Sequence, residues 1–236
     1  MYGYGYGYYG FDWTYILLII GMLLSLAASA RLKSTFSYYR RIRSASGLTG
    51  AETAKRILQA AGITDVHVRA ISGSLTDHYD PRTKTVSLSE DIYGQTSLAA
   101  VGVTAHECGH AIQHAIGYAP LEFRSAIVPV ANFGSTLSWP LFIAGLIFSI
   151  DPLVTLGIVL FSLAVLFQLV TLPVEINASS RALKMLQSTG ILGTDETRGA
   201  RKVLTAAAMT YVAALAASIL QLLRLLILAG GRRRDD

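Results

Sequence analysis

Four long apolar runs constrain this chain more than any other feature of its sequence. They cover residues 13–33, 124–150, 153–173 and 204–229. A helix needs about 20 apolar residues to cross a bilayer, so each run is long enough to span one. Only 15% of the residues are charged, whereas a soluble domain carries roughly 25%. We therefore predict a mainly α-helical, multi-pass membrane protein with one modest polar domain.

The predicted segments follow from the ends of these runs. They are a Gly/Tyr-rich tail at 1–12, a transmembrane helix at 13–33, a polar domain at 34–123, a transmembrane hairpin at 124–173, a helical segment at 174–202, a final apolar helix at 203–229 and a charged tail at 230–236. Asp151 and Pro152 mark the tip of the hairpin. Gln221 and Arg224 interrupt the final helix, so both a transmembrane and an interfacial position stay open for it.

The basic residues predict a topology. Five of them lie between 31 and 43, and five between 181 and 202. Basic segments beside membrane helices favour the cytoplasm, so we place both segments inside and the N-terminus outside. Four crossings then put the arginines at 232–234 outside, against the same tendency. The basic residues do not form a stripe with interleaved aromatics, so we expect no nucleic-acid binding.

The polar domain has signals for both helices and strands. A T-x-x-E capping box begins a predicted helix at 47–62. Strand patterns at 66–71 and 85–88 flank a turn signal at 80–83, which predicts a short β-hairpin. An alanine-rich helix is predicted at 95–117.

This last helix contains the sequence H-E-C-G-H. His106 and His110 lie one turn apart and about 40° apart around the helix axis, so both imidazoles can bind one zinc ion. Glu107 lies on the same flank, where it can take a proton from zinc-activated water and pass it to a leaving amine. Cys108 is the only cysteine, which excludes an intramolecular disulfide, and we expect it to be a small buried residue.

A catalytic zinc needs a third protein ligand and an open fourth position. The extended form H-E-x-x-H-x-x-G-x-x-H fails here, because Gln113 and Ile116 replace its Gly and its third His. His114 is too far from His106 along the helix to join the same ion. The remaining candidates are Glu175, Glu122, His78, Asp77 and Asp80. Membrane topology favours Glu175, since two crossings after the motif return the chain to the side that it left.

Two further residues are candidates for a catalytic role. His78 lies between the predicted strands, where it could polarise a substrate carbonyl. Ordinary turn chemistry is the structural alternative. Arg181 follows Glu175 by six residues and could hold an oxyanion or a substrate carboxylate. A basic flank beside a membrane helix is the alternative there.

Four segments of the chain resemble the YugP-type zinc membrane peptidases. They read LTDHYDP at 75–81, SLS at 87–89, AAVGVTAHECGHAIQHA at 99–115 and PVEINASSRAL at 173–183. The resemblance covers about residues 31–215. The order of HExxH, hydrophobic hairpin and E-x-x-A is also similar to that of the HtpX/Ste24-like membrane gluzincins.

The resemblance implies a neutral zinc peptidase with a zincin-like core at the cytoplasmic membrane face. It assigns the third zinc ligand to Glu175, beside His106 and His110. The wider gluzincin group has E-x-x-A-D, whereas Ser179 stands here in the place of the Asp. Either Asn177 or Ser179 would then have to supply the contact that the Asp makes in that group.

The predicted function is that of a zinc-dependent membrane endopeptidase, with Zn2+ as its cofactor. The predicted partners are a peptide or membrane-protein substrate and the lipid bilayer. A homo-oligomer and a membrane partner protein both stay open. The alternatives are a non-catalytic membrane scaffold with a structural zinc and a zinc hydrolase that acts on a non-peptide bond. A fourth protein ligand at the metal would favour the scaffold.

Overall fold

The computed structural model describes residues 12–232, so residues 1–11 and 233–236, with most of both predicted tails, lie outside the described part. The helices are α1 (Tyr15–Tyr39), α2 (Gly50–Ala60), α3 (Glu90–Tyr93), α4 (Leu98–Ala115), α5 (Ala119–Ile147), α6 (Asp151–Ser188) and α7 (Thr194–Arg232). The strands are β1 (His67–Ile71), β2 (His78–Asp80) and β3 (Thr85–Ser89).

Four of these helices, α1, α5, α6 and α7, are long and apolar enough to cross a membrane. They pack as the pairs α1–α7, α5–α6 and α6–α7. Large apolar side chains such as Leu26, Phe133 and Leu169 are more than half exposed on their outer surfaces. Side chains of this kind face outward when lipid rather than water surrounds a helix bundle. The prediction of a mainly helical protein with four apolar helices able to cross a membrane is confirmed.

The final apolar run continues as α7 through the two polar residues that interrupt it. Arg224 is buried among the helices, where its Nε donates to Thr14 Oγ1 at 3.2 Å. Its guanidinium also lies 4.5 Å from the centre of the Tyr15 ring, and Asp12 is 3.8 Å away. A buried arginine with these partners is compatible with a membrane span. The contacts therefore favour the transmembrane position over the interfacial one.

The small sheet differs from the predicted hairpin. Its order is β1-β3-β2, with β1 parallel to β3 and β2 antiparallel to β3. The prediction that 66–71 and 85–88 form a β-hairpin is therefore wrong. Hairpin strands are antiparallel, whereas parallel strands need a crossover connection between them. The predicted turn does close a hairpin, but its arms are β2 and β3. Three residues are too few for β2 to show an alternating pattern, so its sequence resembles a loop.

Helix α2 begins as predicted and supports the metal-binding helix α4. The Thr49 hydroxyl accepts from the Glu52 amide at 3.2 Å, and the Glu52 carboxylate accepts from the Thr49 amide at 2.8 Å. This confirms the capping box. Ile57 and Leu58 are buried in one cluster with Cys108. The HExxH segment is thus held from one side by the apolar face of α2.

On its other side, α4 lies very close to α6. A Cβ atom built on Gly109 would lie only 2.5 Å from the Ala178 carbonyl oxygen. Helix α6 continues unbroken past Pro173, so Glu175 lies within it and not at the head of a separate segment at 174–202. The apolar run ends near 173, but a helix does not have to end where its hydrophobicity ends. The single helix holds Glu175 rigidly opposite α4.

Replacing Gly109 by alanine should therefore force the two helices apart. We expect Gly109→Ala to destabilise the protein by about 1–3 kcal/mol and to lower its zinc content, because overpacking against backbone cannot relax by rotation of a side chain. Thermal unfolding in detergent and metal analysis measure both effects. Gly102→Ala is the matched control on the same helix. Its Cβ would meet Ala200 at 3.5 Å, an ordinary contact, and equal destabilisation by both variants would contradict the packing argument.

Candidate metal centre

Two helices bring the predicted ligands together. Helix α4 contributes His106 and His110, whose ring centres are 4.8 Å apart, and α6 contributes Glu175. Glu175 Oε2 lies 3.1 Å from His106 Nε2 and 3.5 Å from His110 Nε2. Ligand atoms about 2.1 Å from a tetrahedral zinc ion lie roughly 3.4 Å from one another. The observed spacing fits such an ion.

The described residues contain one group of this kind. The ligand atoms of His106, His110 and Glu175 all lie within 4.8 Å of one another. The other candidates for the third ligand, Glu122, His78, Asp77 and Asp80, are not part of it. Of the five candidates for the third ligand, Glu175 is the one that the structure places with both histidines in a group able to hold a metal ion.

Hydrogen bonds on the far side of each imidazole orient the rings. His110 Nδ1 donates to Gln113 Oε1 at 3.0 Å, and the same amide donates to the Val174 carbonyl at 2.9 Å. His106 Nδ1 lies 3.1 Å from Ser179 Oγ. With Nδ1 engaged in this way, each Nε2 is left to bind a metal, which is the arrangement usual for histidine ligands.

Ser179 and Asn177, the two candidates to replace the Asp of the wider gluzincin pattern, make different contacts. Ser179 contacts His106, whereas Asn177 accepts from Gln113 at 3.0 Å and from Arg181 at 2.7 Å. Of these two residues, Ser179 contacts an imidazole of the group directly, whereas Asn177 contacts Gln113. In the sequence, Gln113 is recognisable only as a departure from the extended motif. Its role at His110 depends on the approach of α6, which the sequence of α4 does not reveal.

The electrostatics of the site favour a cation. Burial alone would lower the pKa of His110. The hydrogen bond with Glu175 and the charge of Glu107 outweigh burial and raise that pKa above its ordinary value. The same negative field that favours a proton on His110 also favours a divalent ion between the ligands. In contrast, burial raises the pKa of the Cys108 thiol, so this residue is an inert part of the core, as expected.

A cleft of about 180 Å³ lies beside the three ligands. His106, Glu107 and Glu175 line it together with mainly apolar side chains from α1, α4 and α7, among them Leu32, Phe36, Val103 and Val203. Glu107 is only 8% exposed. Within residues 12–232 its carboxylate accepts no hydrogen bond from the protein, so it can act on a molecule in the cleft.

Two residues near Glu175 are not predicted from the sequence to belong to the site. Arg124 Nη1 lies 3.3 Å from Glu175 Oε1, the oxygen that faces away from the histidines. Tyr211 lines the cleft and interacts with Glu175. A charged residue within an apolar run is a recognisable signal of function, and Arg124 stands at the start of such a run. Nothing in the local sequence marks Tyr211, which reaches the site only because α7 packs there.

The two other predicted catalytic residues are not among those that line the cleft. His78 is exposed, and its Nδ1 lies 2.9 Å from the Thr76 carbonyl oxygen. Arg181 donates to Asn177 and lies 5.8 Å from the centre of the Tyr118 ring. Neither lines the cleft, and their catalytic roles stay predictions. His114 hydrogen-bonds with the Tyr79 hydroxyl at 2.7 Å, which ties α4 to β2.

Comparisons with known proteins agree with this geometry. The chain matches, over residues 14–230, a family described as "Putative neutral zinc metallopeptidase". It is 48% identical to the "Putative membrane protease YugP" of Bacillus subtilis (strain 168) over 220 residues, which cover 92% of this chain and 98% of that protein. No solved structure matched the chain. The family and the His106–His110–Glu175 group together identify zinc as the cofactor.

Removing one ligand should abolish stable zinc binding. We expect His106→Ala and Glu175→Gln to retain less than about a tenth of the wild-type zinc after dialysis, since two ligands bind zinc far more weakly than three. Mass spectrometry of the metal in purified protein measures this. Glu122→Gln serves as the control, because it removes a carboxylate that lies outside the group. Full zinc occupancy in Glu175→Gln would exclude Glu175 as a ligand.

Proposed function

This chain belongs to the family described as "Putative neutral zinc metallopeptidase", and from that premise we propose that it is a zinc-dependent endopeptidase of the gluzincin type. It hydrolyses peptide bonds at the cytoplasmic face of the membrane. The observation that carries the proposal is the position of Glu107. Its buried carboxylate faces the same cleft as His106 and Glu175 and forms no hydrogen bond or ion pair with another side chain among the described residues.

The chemistry divides between the metal and this carboxylate. Zinc at such a site polarises a carbonyl group and makes a water molecule more acidic. Glu107 takes a proton from the attacking water and delivers it to the amine that leaves. His106, His110 and Glu175 would hold the metal. Ser179 and Gln113 hydrogen-bond to the two imidazoles and keep each Nε2 atom oriented towards it. Gluzincins are zinc peptidases with this combination of HExxH and a distant Glu.

The ligand count separates the endopeptidase from a structural zinc site. A structural zinc is closed by four protein ligands, whereas a catalytic one keeps a position open. In the described part of the chain, the group has three ligand residues and borders a cleft. This supports the enzyme over the non-catalytic scaffold.

The surroundings of the cleft support a membrane-associated substrate. Its walls include Leu32 and Phe36 of α1 and Ala207 and Ala208 of α7, which belong to helices that can cross the membrane. A peptide segment near the bilayer surface, in a membrane protein or a bound peptide, can reach such a site. The cytoplasmic orientation is supported by two groups of basic residues. One group, at 31–43, lies at the end of α1 and just after it, and the other, at 181–202, lies at the end of α6 and the start of α7.

Replacing Glu107 by glutamine should separate binding from catalysis. We expect Glu107→Gln to keep its zinc and its fold but to lose at least about 100-fold in cleavage rate, since an amide cannot accept the proton. The variant is incubated with native membranes, and newly formed protein N-termini are labelled and identified by mass spectrometry. Glu122→Gln is the matched control outside the cleft. Cleavage by zinc-loaded Glu107→Gln at the wild-type rate would rule out the mechanism.

A further inference from the structure

A second and larger groove lies on the α1–α7 pair. It has a volume of about 680 Å³ and shares no lining residue with the metal cleft. On α1, Leu32 and Phe36 face the cleft, whereas Ser34 and Tyr38 face the groove. At 100° per residue, these two sets of side chains point in roughly opposite directions. The metal cleft and this groove, which we call the basic groove, therefore lie on different faces of the helix pair.

The basic groove gathers three cations from distant parts of the chain. Arg31 comes from α1, and Arg201 and Lys202 come from α7. All three side chains are exposed, and none forms an ion pair with a carboxylate in residues 12–232. No acidic residue lines the basic groove, whereas the hydroxyl groups of Thr35 and Thr205 do. Cations and hydroxyls without a counter-charge are the chemistry that recognises a phosphate group.

The depth of the basic groove in the membrane indicates which phosphate compound it fits. Arg31 directly follows the uninterrupted apolar stretch at 16–30 in α1, and Lys202 lies just before the apolar run at 204–229 in α7. The cations therefore lie at the level of lipid headgroups. The basic groove also extends to Met209, which is 44% exposed and lies two turns further into the apolar part of α7. The charged end of the groove fits a phosphate headgroup, and its apolar end, further into the membrane, fits an acyl chain. A phospholipid has both parts, whereas a soluble anion has only the first.

We propose that the basic groove binds the headgroup of an anionic phospholipid, with an acyl chain along α7. The lipid belongs to the cytoplasmic leaflet, a statement that rests on the orientation in the proposed function. Bound lipid neutralises the mutual repulsion of Arg31, Arg201 and Lys202 and holds α1 against α7. Both helices also form walls of the metal cleft, so a lipid that holds α1 against α7 also stabilises the cleft.

The test measures lipid binding directly and does not depend on proteolysis. Purified full-length protein is titrated with phosphatidylglycerol in detergent, and bound lipid is counted by native mass spectrometry. Phosphatidylcholine, which has no net charge, is titrated in parallel. The triple variant Arg31→Gln/Arg201→Gln/Lys202→Gln is compared with Lys33→Gln/Arg43→Gln/Lys184→Gln, which loses the same charge outside the basic groove.

We expect the wild type to prefer phosphatidylglycerol over phosphatidylcholine. The groove variant should lose at least about ten-fold in affinity for it, while the control variant keeps most of the binding. Zinc content shows whether each variant is folded. If the groove triple does not fold, Arg201→Gln/Lys202→Gln answers the same question, because both of its side chains are exposed.

Two results would overturn the proposal. Equal losses in the groove and control variants would show that only overall charge attracts the lipid. Displacement of the lipid by millimolar inorganic phosphate, which then binds alone, would show a site for soluble anions instead. Loss of proteolysis with intact lipid binding would contradict the proposed function but leave the lipid site standing.

Discussion

The close contact between α4 and α6 is the constraint on which the rest of the site depends. Gly109 lies directly against the backbone of Ala178, and a side chain larger than hydrogen would meet a carbonyl oxygen there. Only at this separation can Glu175 approach both histidines and Gln113 reach the backbone of α6. The metal centre is therefore a consequence of helix packing, and the packing depends on one missing Cβ atom.

Glu175 has polar partners on both of its sides. One carboxylate oxygen faces His106 and His110, and the other faces Arg124 on α5. A carboxylate so deeply buried needs partners of this kind, because water is excluded and an unpaired charge would be costly. The transmembrane hairpin thus does more than return the chain to the site. It also supplies Arg124, the cation that pairs with the Glu175 carboxylate.

Much of the site could be predicted because its signals are local. His106, Glu107 and His110 lie within one helical turn, and the topology of the apolar runs led to Glu175. The arrangement of β2 and the contacts of Tyr211 could not be predicted, since both depend on which distant elements pack together. Three residues cannot show a strand period, and a tyrosine within an apolar helix has the same local sequence whether it faces lipid or a metal cleft.

In the proposed site, two imidazoles and one carboxylate hold zinc and leave one coordination position open. X-ray absorption at the zinc edge of the purified protein tests it most directly. We expect a first shell of nitrogen and oxygen atoms at about 2.0–2.1 Å, with the outer scattering of two imidazoles. A sulfur contribution near 2.3 Å from Cys108, or a shell without imidazole scattering, would contradict it.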